Sequence, residues 1–165
     1  MTEEKAEAAG EASGAMPVFR LEKLYLKDLS FESPNAPEAF FLKNPEPKAD
    51  LRLELTNKKI DENHWEVCIE LSVTMKDSKS EKVMFIIEIE HAGAFLLQNI
   101  PEEHMHQVLH VDCPTLLFPY TRQIVNQASL EGGFGIIPIF MDPMQFNFAG
   151  MYHHKMKQQQ AKKEN

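Results

Sequence analysis

Trp65-Glu66-Val67-Cys68-Ile69-Glu70-Leu71-Ser72-Val73-Thr74-Met75-Lys76 is the stretch that decides the fold. Its odd positions are apolar and its even positions polar, Cys68 excepted. Such alternation marks a β-strand with one face on a core and the other in water. Upstream, Leu51, Leu53 and Leu55 alternate with Asp50, Arg52, Glu54 and Thr56, and the polar turn Lys58 to Asn63 joins the two runs. Downstream, the turn Asp77 to Lys82 leads into Val83 through His91. There Val83, Phe85, Ile87 and Ile89 share one face; Met84, Ile86, Glu88 and Glu90 share the other.

Phe19 to Phe31 is also strand-like. Phe19, Leu21, Tyr25, Leu29 and Phe31 have one parity; Arg20, Glu22, Asp28, Ser30 and Glu32 have the other. Leu24 and Leu26 fall on the polar parity, which predicts a bulge or burial on both sides. Pro34, Pro37, Pro45 and Pro47 stop helix and ladder between this strand and the next. Gly93 is expected to end the sheet. Pro101-Glu102-Glu103 then starts a helix with Met105, Val108 and Leu109 as its apolar stripe. Cys113-Pro114-Thr115-Leu116-Leu117-Phe118-Pro119 is expected to interrupt it. A second helix, from about Pro119 to Leu130, carries Ile124, Val125 and Ala128 and closes at Gly132-Gly133. Phe134 to Met141 reads as extended. Asp142-Pro143 caps a third helix with Met144, Phe148, Met151 and Tyr152, running into Lys155 to Gln160. Strands first and helices after give an α+β fold: a four-stranded antiparallel β-meander followed by about three helices.

The 165 residues suffice for one domain, read as 17–154, with a disordered arm at 1–16 and a polar basic tail at 155–165. The longest apolar run is five residues, Val83 to Ile87, too short to cross a bilayer. The acidic N-terminus lacks the apolar core of a signal peptide, which makes a cytoplasmic protein the expectation. Net charge is −8; the basic end and the acidic arm cancel, so the body holds it all. An acidic body repels nucleic acid and suits a basic partner. Cys68 and Cys113 read as reduced thiols.

No GxxxxGK[ST], GxGxxG or GxSxG is present, and no nucleophile has an evident base, so no enzyme and no cofactor are expected. His104, His106 and His110 lie in HMHQVLH. His106 and His110 share a helix face, but Gln107 stands where a metalloprotease has glutamate, and a solvated face is favoured over a metal site. Surfaces say more than motifs. Asp28 and Glu32 share a strand face, which would join Ile86, Glu88 and Glu90 as an acidic docking patch if the strands lie in one sheet. Long strands with open edges invite pairing between protomers. The stripe Ile87, Ile89, His91 suits an oligomer interface as well as it suits burial under helices. Met141, Met144, Phe146, Phe148 and Met151 give the helical half the adaptable apolar character of a surface for many partners, beside the plainer reading of an ordinary core.

Leu24-Tyr25-Leu26-Lys27-Asp28-Leu29-Ser30-Phe31-Glu32-Ser33-Pro34-Asn35-Ala36-Pro37 closely resembles the N-terminal strand motif of the SecB family of bacterial protein-export chaperones. Cys113 to Tyr120 resembles its second motif, and Leu130 to Phe148 its C-terminal part. The likeness spans roughly residues 18 to 155. It implies a homotetramer, a dimer of dimers, that binds unfolded precursors without ATP and passes them to SecA. SecA contacts would fall at Asp28, Glu32, Ile86 and Glu88. Client chains would lie along Leu116, Leu117, Phe118 and Tyr120, with Phe95 and Phe134. Ile87, Ile89 and His91 match the dimer–dimer contact. The long N-terminal arm and the basic tail (Lys155, Lys157, Lys162, Lys163) depart from the family pattern, as does the loop at Pro45 and Pro47. A chaperone devoted to one client, such as an antitoxin, is the alternative; an enzyme with a metal on the HMHQVLH helix is a more distant one.

Overall fold

A computed structural model describes residues 14–135 and 146–163. The N-terminal arm to residue 13, the extended stretch beyond Gly135 and the Asp142-Pro143 cap lie outside the described residues. The strands are β1 (Val18–Glu32), β2 (Pro47–Lys59), β3 (His64–Asp77) and β4 (Val83–Gln98). They form one antiparallel sheet in the order β1-β4-β3-β2. The expected meander is therefore corrected. β2, β3 and β4 form one, but β1 lies beside β4 as in a Greek key. The proline-rich connection with its short 3₁₀ turn, Glu38–Phe41, is long enough to carry the chain across.

The register of β1 on β4 shifts twice, between Leu21 and Lys23 and between Leu26 and Asp28. Each shift is a bulge that inserts one residue, Glu22 and then Lys27. Phe19, Leu21, Leu24, Leu26, Leu29 and Phe31 thereby all pair with odd residues of β4, from Leu97 to Ile87. Every apolar side chain of β1 but Val18 and Tyr25 faces one way. Tyr25, grouped with Phe19 by parity, pairs with Ala92 and faces the other way.

β4 does not stop at Gly93. A Cβ there would lie 2.8 Å from the Phe95 ring and 2.9 Å from Leu21 Cδ1, so glycine lets those side chains cross the strand and pairing continues to Gln98. The expected break at Cys113 to Pro119 is also absent. Helix α1 (Glu102–Gln107) passes through one π-helical segment (Val108–Asp112) into α2 (Cys113–Glu131). The wide turn sits just before Pro114, where an N–H is missing from the ladder. Helix α3 (Phe148–Lys163) is capped by Asn147, whose Oδ1 accepts from Gly150 N–H at 3.0 Å. The basic stretch from Lys155 continues this helix.

α2 packs across the inner faces of β4 and β3. The core beneath joins Ile69, Leu71, Val73, Phe85, Ile87 and Ile89 to Leu117, Val125 and Phe148. A smaller cluster, Val67, Phe95, Leu97, Leu109 and Cys113, fills the other end. Burying one such side chain is worth about 1.5–3 kcal/mol. The two thiols are buried and unpaired, and burial pushes Cys68 up to about 11 and Cys113 to about 12.

Candidate functional site

On the outer face of the sheet, Asp28 pairs with Glu90, Glu90 with Glu70, and Glu70 with Glu54. One carboxylate per strand thus forms a row across the whole sheet, at about 4.8 Å between strands. The next row is Ser30, Glu88, Ser72 and Arg52; the one after is Glu32, Ile86, Thr74 and Asp50. The register therefore puts Asp28, Glu32, Ile86 and Glu88 on one face of adjacent strands. Glu54 and Glu70 extend it, and the sequence reading did not include them. Their polar parity is visible on β2 and β3, but only the strand order aligns them with Asp28. Directly opposed like charges destabilise a sheet, so the row is a local cost to it. Arg52 lies in the same shallow depression as Asp28, Glu54, Glu70 and Glu88.

The far end of this face is closed by internal pairs. The Tyr25 hydroxyl donates to Glu66, and Lys27 Nζ donates to its other oxygen at 3.0 Å. The Tyr25 bond, with Lys27, holds the Glu66 carboxyl below the usual range. Burial and then Glu66 push Tyr25 up to about 12.

The inner face is only partly covered. A cleft of about 790 Å³ opens between β1 and α2, lined by Leu24, Leu29, Phe31, His91, Tyr120 and Ile124. A second, of about 390 Å³, lies between β2 and α3, lined by Leu53, Leu55, His110, Phe148, Met151 and Tyr152. The six residues named for client binding do not converge. Phe95 and Leu117 are fully buried and carry the core. Phe118 packs on Phe146 and Phe148, and Phe134 on Phe40 and Phe85. Leu116 and Tyr120 are exposed on α2, and only Tyr120 reaches a cleft. Leu24, Leu29, Leu53 and Leu55 line the clefts and were not singled out. Leu29, Leu53 and Leu55 have the apolar parity of core residues and Leu24 falls on the polar parity of β1, and only the bulges and the position of the helices show that all four share an incompletely covered face.

Ile87, Ile89 and His91 are likewise not a surface stripe. They are 0%, 2% and 3% exposed, because α2 lies over them within the same chain. His91 Nδ1 and the Thr121 hydroxyl share a hydrogen bond at 2.9 Å, and Leu117 O lies 3.4 Å from the same hydroxyl. Burial holds the His91 pKa below its ordinary value. Any effect of this stripe on assembly runs through α2. On α1, His104 lies 3.6 Å from Glu103, while His106 and His110 stack on one another.

The sheet thus presents two extended surfaces of opposite character, a charged outer face and a half-covered apolar inner face. A profile described as preprotein translocase subunit SecB matches residues 12–159. The chain is 49% identical to the protein-export protein SecB of Desulfotalea psychrophila, over 94% of this chain and 97% of that one. It is 44% identical to that of Magnetococcus marinus, over 98% and 96% respectively. The chain belongs to the SecB family of protein-export chaperones. Among solved structures, it resembles a Mycobacterium tuberculosis SecB-like chaperone in complex with an antitoxin peptide. The TM-score is 0.60 at 15% identity, covering 72% of this chain and 86% of that one, a likeness of fold. Among the described residues, no helix is long and apolar enough to cross a membrane.

Proposed function

We propose that this chain holds unfolded precursor polypeptides on its inner, apolar side and delivers them to SecA, which docks on the acidic outer face. The observation that carries this reading is the division of one sheet into a carboxylate row outside and incompletely covered leucines inside. A client needs apolar surface and no fixed sequence; a steering partner needs complementary charge. Asp28, Glu32, Ile86 and Glu88 are the proposed core of the SecA contact, widened by Glu90, Glu70 and Glu54. Leu116, Tyr120 and the cleft leucines are the proposed client contacts, reached without opening the core.

The working form is a homotetramer in the cytoplasm, without ATP, cofactor or catalytic step. Among the described residues β1 pairs with β4 alone, which leaves its other edge open to a second chain. The test is binding of one slowly folding precursor, offered unfolded and native, with no nucleotide. Binding to the unfolded form alone supports the holdase. Binding to neither form, with tight binding of one particular small client, would replace it by the dedicated-chaperone reading.

A further inference from the structure

The joint between α1 and α3 gathers two imidazoles around a tyrosine. The His106 and His110 rings stack with centroids 4.1 Å apart at 24°. His106 Nδ1 shares a 2.9 Å hydrogen bond with the Tyr152 hydroxyl of α3. His110 Nδ1–H donates to the His106 carbonyl at 2.8 Å. The Tyr152 ring lies 5.4 Å from His106 and 6.3 Å from His110. Directly alongside is the β2–α3 cleft, which His110 and Tyr152 share with Lys155, Leu53 and Leu55.

We propose that this cluster is a pH-sensitive latch: with neutral imidazoles it clips α3 over the apolar β2 side of the sheet, and protonation releases it. Two stacked imidazolium rings repel, and Lys155 adds a third positive charge at the same joint. The surrounding charges are few. Glu102 and Glu103 on α1 are exposed, as is Asp112 on the π-helical segment. Glu54 borders the cleft from β2, but its register sets the side chain on the outer face, away from the rings. His153 and His154 on α3 are exposed. Phe148 remains anchored against Phe118, so release concerns the helix from Met151 onward.

Burial, then His110, then Lys155 hold the His106 pKa below its ordinary value. Docking linked to this group is complete above the ordinary histidine pKa of about 6.5. It is lost as pH falls through that value towards the lower, docked one. The consequence for function, more leucine surface offered to clients in mild acid, rests on the holdase reading.

The test is amide exchange of the full chain at pH 7.5 and 5.8, corrected for intrinsic rates, in the wild type and in His106→Gln/His110→Gln. In the wild type, α3 protection from Met151 onward should fall roughly threefold or more relative to β3. In the double variant it should not change between the two pH values. An equal fall in both proteins, or none in the wild type, overturns the latch. Tyr152→Phe covers the case in which the double variant fails to fold. It should lower α3 protection at pH 7.5, and unchanged protection there overturns the latch too. Exchange needs no client, so absence of client binding at both pH values would sink the holdase reading and leave the latch standing.

Discussion

A Cβ on Gly132, at the end of α2, would lie 2.1 Å from Phe31 Cζ. Phe31 stacks on Phe85 and touches Phe134, so making room means breaking those contacts and turning the ring towards the β1–α2 cleft. Gly132→Ala should therefore cost about 2 kcal/mol through overpacking, read as a melting temperature lower by roughly 4–8 °C. An unchanged melting temperature would mean that α2 does not end against β1 as described. Asp77 works by charge. Its carboxylate accepts from Ser80 Oγ at 2.6 Å, Ser80 N at 3.0 Å and Glu46 N at 2.7 Å, tying the β3–β4 turn to the β2 entry. These bonds, the Ser80 hydroxyl foremost, hold its pKa at about 2. The stability they add is present above the ordinary aspartate pKa of about 4 and is lost as pH falls through about 2. Asp77→Ala should lower the melting temperature at pH 7, and the gap from wild type should close in strong acid.

At the scale of elements, parity showed that Leu24 and Leu26 were out of step, and the two bulges of β1 are the reason. Deleting Lys27 would remove the second bulge yet leave Leu24, Leu26, Leu29 and Phe31 on one face, because Leu26 and Asp28 already pair with consecutive residues of β4; deleting Ser30, which pairs with Glu88, would set Leu29 and Phe31 on opposite faces. The Ser30 deletion should lower stability by about 2–3 kcal/mol and the Lys27 deletion by less; equal effects would argue against the bulge register. Strand existence was legible because alternation is local. Strand order was not, because nothing in the alternation of Leu51 to Leu55 says which strands are neighbours. The same gap separated Glu54 and Glu70 from Asp28 in the sequence. The helices were misdivided for a related reason. Pro114 and Pro119 are breakers by local rule, but burial of Cys113, Pro114 and Leu117 carries the helix through them. Ile87, Ile89 and His91 were correctly placed on one face. Whether that face met a helix or another chain depended on α2, beyond the reach of periodicity.

For the whole molecule, the outer edge of β1, unpaired among the described residues, and the exposed Leu26 beside it suit the proposed tetramer. Light scattering at micromolar concentration should give the mass of a tetramer of 18.9 kDa chains; the monomer mass would contradict that assembly. The central claim is that one sheet serves two partners on opposite sides. Opposite faces do not compete, so SecA should bind the client-saturated chaperone about as tightly as the empty one. The most direct test is the SecA dissociation constant with and without bound unfolded precursor, in the wild type and in Asp28→Lys/Glu32→Lys. The wild-type values should agree within about threefold. The reversal should weaken SecA roughly tenfold or more, about 1.4 kcal/mol or more, and leave precursor binding unchanged. A SecA affinity that falls roughly tenfold once precursor is bound, or a variant that keeps full SecA affinity, would contradict the two-faced sheet.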